Sequence, residues 1–303
     1  MQSIELEDIS INTSTIKLDD LEIGRKYIPK LSETLTITAT SEIQTFTPSD
    51  SNHEITEVVC NPAPATNQAL IDFVNITGGK YMFNNIDVSD AQLATLDFNN
   101  VVFTNCRYMF SACYHITTIP LLDTSNVTDM GFMFGQCENL INVPLFNTSN
   151  VTTMENMFYI CYLITDIPSF DTSKVTNMSS MFYESRSITT IPLFNTSNVT
   201  NASHMFHGCS NLAIVPALDF SKVTTISYIF YLCSSLTEIH IHGISVTFDI
   251  HFSTLFTESA LVEILNNLAV ITSTQTLYLG STNLAKLTSE EIAIATGKGW
   301  TLA

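Results

Sequence analysis

The stretch Asp123-Thr124-Ser125-Asn126-Val127-Thr128-Asp129-Met130-Gly131-Phe132-Met133-Phe134-Gly135-Gln136-Cys137-Glu138-Asn139-Leu140-Ile141-Asn142-Val143-Pro144 decides the fold, because it recurs. The dipeptide Met133-Phe134 follows Met109-Phe110 and precedes Met157-Phe158, Met181-Phe182 and Met205-Phe206, with Ile229-Phe230 continuing the series at the same 24-residue step. Pro120, Pro144, Pro168, Pro192 and Pro216 keep that step. So does the turn cluster opened by Asp123, Asn147, Asp171, Asn195 and Asp219. Three markers in one register identify a repeat array, in which a unit too small to bury its own apolar face covers it against the next copy.

Within a unit, Met130, Met133, Phe134 and Cys137 fall at the i, i+3, i+4, i+7 spacing of one helical face, which predicts about two turns of helix. Leu140, Val143 and Pro144 follow as a short strand ended by a proline that cannot donate to a ladder. The Asx-Thr-Ser cluster then turns the chain. The expected fold is an α/β repeat, a solenoid of helix-strand-turn coils over residues 99–242. Stacked at the ~4.8 Å spacing of paired strands, about six coils make a section of about 30 Å.

The ends differ in kind. In residues 1–60, Ile4 and Leu6, Ile9 and Ile11, and Leu35, Ile37 and Ala39 alternate at period two, which predicts a small antiparallel β module used for attachment. Residues 61–98 read as linker and N-terminal cap, with Asn61-Pro62-Ala63-Pro64-Ala65 a stiff joint, a capping box at Ser89 and Gln92, and Tyr81-Met82-Phe83 a degenerate first coil. Residues 243–303 read as an α/β C-terminal cap. Its parts are a helix over 259–268, a strand over 276–279 and a second capped helix from Thr288 to near Gly297, with Trp300 packed on them.

With 29 acidic against 11 basic residues the chain carries a formal charge of -18, which excludes the clustered basic footprint of a nucleic-acid binder. No apolar run reaches the roughly 18 residues of a membrane span, and Met1 to Glu7 carries acids where a signal peptide would be basic. No Gly-x-Ser-x-Gly or phosphate-cradling glycine loop is present, so no enzyme activity and no cofactor are expected.

Four constellations remain. Cys113, Cys137, Cys161, Cys209 and Cys233 share one position, with Ser185 replacing cysteine between Cys161 and Cys209; a thiol ladder and simple buried thiols are the two readings, and Cys60 and Cys106 stand outside it. The Asp/Asn column reads either as a calcium stripe or as a stacked turn bonding the neighbouring coil. His240, His242 and His251 could supply imidazoles to zinc, or simply fall on one face by alternation. Finally, the residue after each Met-Phe varies: Tyr159, Tyr183, His207 and Tyr231 are expected to form an outer row of ring edges suited to protein or carbohydrate recognition, or to plain packing. His204 and His207 otherwise read as surface variation.

The run Asp123 to Pro144 resembles the BspA-like leucine-rich repeats of bacterial surface proteins, which alternate an Asp-Thr-Ser-Asn-Val turn, a Met-Phe segment and a Leu-x-x-Ile/Val-Pro strand. Residues 252–303 resemble the C-terminal cap of such proteins from gut Bacteroidales and their phages. The resemblance implies a curved solenoid for adhesion, with no catalytic residue to carry over. It leaves open two settings: a phage virion component, anchored to other virion proteins by its N-terminal module and facing a host-surface protein or glycan, or a bacterial cell-surface adhesin. An intracellular partner-binding scaffold is a third. The initial lack of an export signal points to the virion, and strand edges in the β module to a homo-oligomer.

Overall fold

The computed structural model describes residues 101–303 throughout, most of 71–99, and the backbone of four short strands within 2–55. Those strands are β1 (Gln2–Leu6), β2 (Ile9–Ile11), β3 (Leu35–Ala39) and β4 (His53–Ile55), paired antiparallel as β1 with β3 and β2 with β4. The proline-rich joint and Cys60 lie outside the described residues.

From Tyr81 onward, consecutive coils lie parallel and side by side. Parallel bridges join Asp129 to Thr153, Thr153 to Asn177, Asn177 to Asn201 and Asn201 to Thr225, one per coil. A second line joins Asn142 to Asp166 and Thr190 to Ile214, and lengthens into β5 (Ile214–Val215) against β6 (Glu238–Ile239). The amides of Thr152, Thr176, Thr200 and Thr224 each donate to the threonine carbonyl of the coil before, at 2.9 Å.

The helix expected at each Met-Phe segment is not formed. In its place the chain makes overlapping turns, with Met133, Gly135 and Cys137 donating to the carbonyls of Met130, Phe132 and Phe134, three residues back, at 3.0 to 3.2 Å. The intervening amides leave the coil: Phe132 donates to Glu155 at 2.9 Å, Phe134 to Met157 at 3.0 Å and Gln136 to Tyr159 at 2.5 Å. Past its first turn a helix would close its amides on itself and leave none of them for the neighbour. Left-handed residues make the alternation possible, with φ of 54° at Phe132 and 63° at Gln136 and the same sign at Asn156, Ile160, Ser180 and Glu184. Each such residue is strained by roughly 1–2 kcal/mol, which the cross-coil bonds offset.

The phenylalanines form the core. Phe83, Phe110, Phe134, Phe158, Phe182, Phe206 and Phe230 stack in one column with centroids 5.1 to 5.8 Å apart, all fully buried. The buried methionines line the same interior, with Ile226 and Ile229 in their places in the coil of Phe230. The cysteines beside them are buried free thiols that also tie one coil to the next. Cys137 donates to the carbonyl of Phe110, Cys161 to that of Phe134, and Cys209 to that of Phe182, each at 3.0 Å. Ser185 does the same to Phe158 at 2.7 Å, which explains why serine substitutes there.

The Asp/Asn column bonds locally. Asp171 accepts from the Ser173 amide at 3.0 Å and Asn195 from that of Ser197 at 3.2 Å, so these side chains close their own turns. The crossing bond expected of them belongs to the buried threonine that follows: Thr148 donates to Asp171 O and Thr172 to Asn195 O, both at 2.9 Å.

At the amino end, α1 (Asp90–Leu93) opens with the Ser89–Gln92 capping box. At the carboxyl end, β7 (Phe248–Asp249), β8 (Gln275–Tyr278) and β9 (Trp300–Leu302) form a parallel sheet in that order. It is accompanied by α2 (Glu258–Asn267), α3 (Gly280–Leu284) and α4 (Ser289–Thr296), the last opened by a Thr288–Glu291 capping box. Trp300 is buried, edge-on to Phe248, and donates its indole to Ala269 O at 2.9 Å.

Candidate functional site

The turn spiral places two side chains of each coil on its outer wall, three residues apart. One stands at the first left-handed position, held by Tyr108, Phe132, Asn156, Ser180, His204 and Tyr228. The other follows the buried phenylalanine, and there the structure brings the four expected residues together. Ring centroids lie 4.8 Å apart for Tyr159 and Tyr183, 4.3 Å for Tyr183 and His207, and 4.8 Å for His207 and Tyr231.

Sequence reasoning misses the first column, which completes the row. Where the second column holds only Ser111 and Gly135, the first supplies rings, Tyr108 stacking on Tyr81 at 5.0 Å and on Phe132 at 4.7 Å. The row changes column between Phe132 and Tyr159, 6.1 Å apart. It ends with Phe252 set edgewise against Tyr231 at 4.3 Å. The signal is present in the sequence as compensation: each aromatic residue in one column faces a small or polar one in the other, until His204 with His207 and Tyr228 with Tyr231 fill both.

Burial perturbs this wall. It holds His204 below its ordinary pKa, and holds His207 down with the help of His204, whose Nδ1 lies 3.4 Å from that of His207. Burial therefore favours the neutral form of both rings. Burial, with Tyr159 and Glu184 nearby, raises the Tyr183 phenol. Towards the amino end the chain's own cations flank the rings: Lys80 Nζ lies 4.7 Å from the Tyr81 centroid and the Arg107 guanidinium 5.1 Å from that of Tyr108.

The histidines considered for zinc stand apart, each with its own carboxylate. His240 bonds Glu263 at 2.7 Å and Glu238 at 3.2 Å, His251 bonds Asp249 at 2.5 Å, and His242 lies 3.8 Å from Asp219. Among the described residues, no group of three or more His, Cys, Asp or Glu side chains is placed to hold a metal, and no helix is long and apolar enough to cross a membrane.

A family model described as "Mycoplasma protein of unknown function, DUF285" matches the chain in three overlapping windows, residues 77–189, 104–214 and 161–263. Together the windows cover more than half of the chain, and their overlap is that of a model sliding along repeats. No curated protein matches it.

Proposed function

Since the chain belongs to the DUF285 family, we propose that it is a BspA-like recognition protein without catalytic chemistry, a leucine-rich-repeat-type solenoid that binds partners through the ring row of its outer wall. The observation that carries this reading is the continuity of the row, from Tyr81 through Tyr108, Phe132, Tyr159, Tyr183, His207 and Tyr231 to Phe252. The left-handed backbone does not itself require a ring at this position, since Asn156 and Ser180 hold the same conformation. Amphipathic rings give contact area at low entropy cost.

The stacking favours a protein partner over a sugar. Both faces of Tyr183 are taken, by Tyr159 and His207, so ring edges and hydroxyls are what a partner meets. A pyranose docks on an open ring face. Display on a bacterial cell surface is the setting the family match supports; a virion setting rests on the N-terminal module and on the resemblance of the cap.

The test is binding of the labelled full chain to arrays of extracellular-matrix proteins and of glycans. The Tyr159→Ser/Tyr183→Ser variant should melt within a few degrees of the native chain, and should lose most of its binding to the protein spots. Undiminished binding by that variant would overturn the proposal.

A further inference from the structure

His204 and His207 occupy the two outward columns of one coil, three residues apart, and no other coil carries an imidazole in either column. The turn spiral brings the two rings together, with their Nδ1 atoms 3.4 Å apart and their centroids 5.5 Å apart. Neighbouring rings hold both in place. His207 lies between Tyr183 at 4.3 Å and Tyr231 at 4.8 Å, and His204 stacks on Tyr228 at 5.2 Å.

The separation of the two nitrogens says what can join them. A well-formed hydrogen bond from a ring N–H closes to about 3.0 Å, so the pair at 3.4 Å is wide for one. Two imidazole nitrogens, each about 2.0–2.1 Å from a tetrahedral zinc ion, stand about 3.3–3.4 Å apart. A right-angled pair on an octahedral or square ion stands at about 2.9 Å. The spacing between His204 and His207 is the tetrahedral one.

The chemistry of the pair agrees with its spacing. Burial favours the neutral imidazole, which is the form that ligates. When the free pair shares a proton, one Nδ1 carries it; with an ion bound, each ring keeps its single proton on Nε2 and turns an Nδ1 lone pair to the metal, so no proton is lost overall. Glu184 lies close enough to act on His207 and adds negative potential, while its carboxylate is bonded to Arg186 at 2.6 Å. Among the described residues no third His, Cys, Asp or Glu completes the set, which leaves the other two positions of a four-coordinate ion to water.

We propose that His204 and His207 form a two-histidine zinc site on the outer wall, both ligating through Nδ1, with water in the remaining positions. The site goes beyond the reading of the ring row as a protein-binding surface and does not depend on it: the arrays test the row, and a zinc titration tests the pair. With two protein ligands the ion is held reversibly and is removed by dialysis, unlike the ion of a closed four-ligand structural site. A chain charge of -18 favours the approach of a cation.

Calorimetric titration of zinc chloride into the dialysed full chain, in a non-coordinating buffer at about pH 7.5, tests this, with thermal melting followed alongside. The native chain should bind zinc and melt higher in its presence. His204→Phe and His207→Tyr introduce residues that the same columns hold in other coils, at Phe132 and Tyr159, so both variants should keep the fold. Each should weaken zinc binding by about tenfold or more, since even an outer-shell partner of a ligand is worth that much. His242→Gln, outside the pair, should change it by less than about twofold. Absence of zinc binding, or equal binding by the native chain and the His204→Phe/His207→Tyr variant, would overturn the proposal. So would a loss from His242→Gln as large as that from His207→Tyr, because zinc would then sit on the histidines paired with carboxylates.

Discussion

Cys161 donates its thiol to the carbonyl oxygen of Phe134 at 3.0 Å, across the boundary between two coils. That carbonyl also accepts the Cys137 amide at 3.0 Å, so both its lone pairs are used in the dry interior. Cys161→Ser should therefore be tolerated within about 1 kcal/mol, as Ser185 is in its own coil, whereas Cys161→Ala, which leaves the oxygen short of a donor, should cost about 1–3 kcal/mol in urea unfolding. Equal losses for the two variants would show that the bond contributes nothing.

The same thiols should be inert. Burial pushes Cys233 up to about 12, and Cys137 and Cys209 well above their ordinary value. Since the thiolate is the reactive species, a thiol reagent on the native chain should reach none of the six described cysteines, and all of them in denaturant.

Thr172 should matter more than Asp171. The threonine is buried and spans two coils, and Thr172→Val should cost about 1–2 kcal/mol. Asp171 closes an exposed turn, and Asp171→Ala should lower the melting temperature less, with no response to EDTA in either protein. A melting temperature that falls in EDTA would restore the calcium reading of this column.

Gly131→Ala should detach Arg107 from Glu155, since the new Cβ falls where Nη1 lies. The pair is about one-quarter exposed, so the loss should be about 1 kcal/mol. In a double-mutant cycle, Glu155→Gln should add little on top of Gly131→Ala.

The histidines should give opposite pH responses. His204 and His207 are held below the unfolded value near 6.5, so their contribution is full above that pH and is lost as pH falls through their folded values. His204→Phe, the residue Phe132 shows at this position, should flatten the loss below pH ~6.5. His240 is raised by its bond to Glu263, so its contribution is full below ~6.5 and disappears as pH rises through the folded value. His240→Gln should destabilise the chain at pH ~6, and by less and less as pH rises through the folded value. A melting profile of His204→Phe that parallels the native one would refute the first assignment.

Much of the molecule was legible in the sequence. The 24-residue step placed Phe134, Phe158 and Phe182 in one column, because a buried ring repeated in register has one place to go. The capping boxes at Ser89 and Thr288 were readable because their bonds are local, three residues apart. The positions of Tyr159, Tyr183, His207 and Tyr231 on a shared wall followed from the same register.

Tertiary structure alone decided how each coil's backbone is satisfied. Met130, Met133, Phe134 and Cys137 have the spacing of a helix face, but overlapping turns present the same residues inward, and the choice between them depends on whether a neighbouring coil offers carbonyls such as Glu155 O and Met157 O. It also decided that a ring row can change column at Phe132 and Tyr159, and that Arg107 reaches Glu155 two coils away. Periodicity along a chain fixes which residues share a column. Which columns touch, and where each amide finds its acceptor, depends on the distance between coils, and that distance exists only once they have stacked.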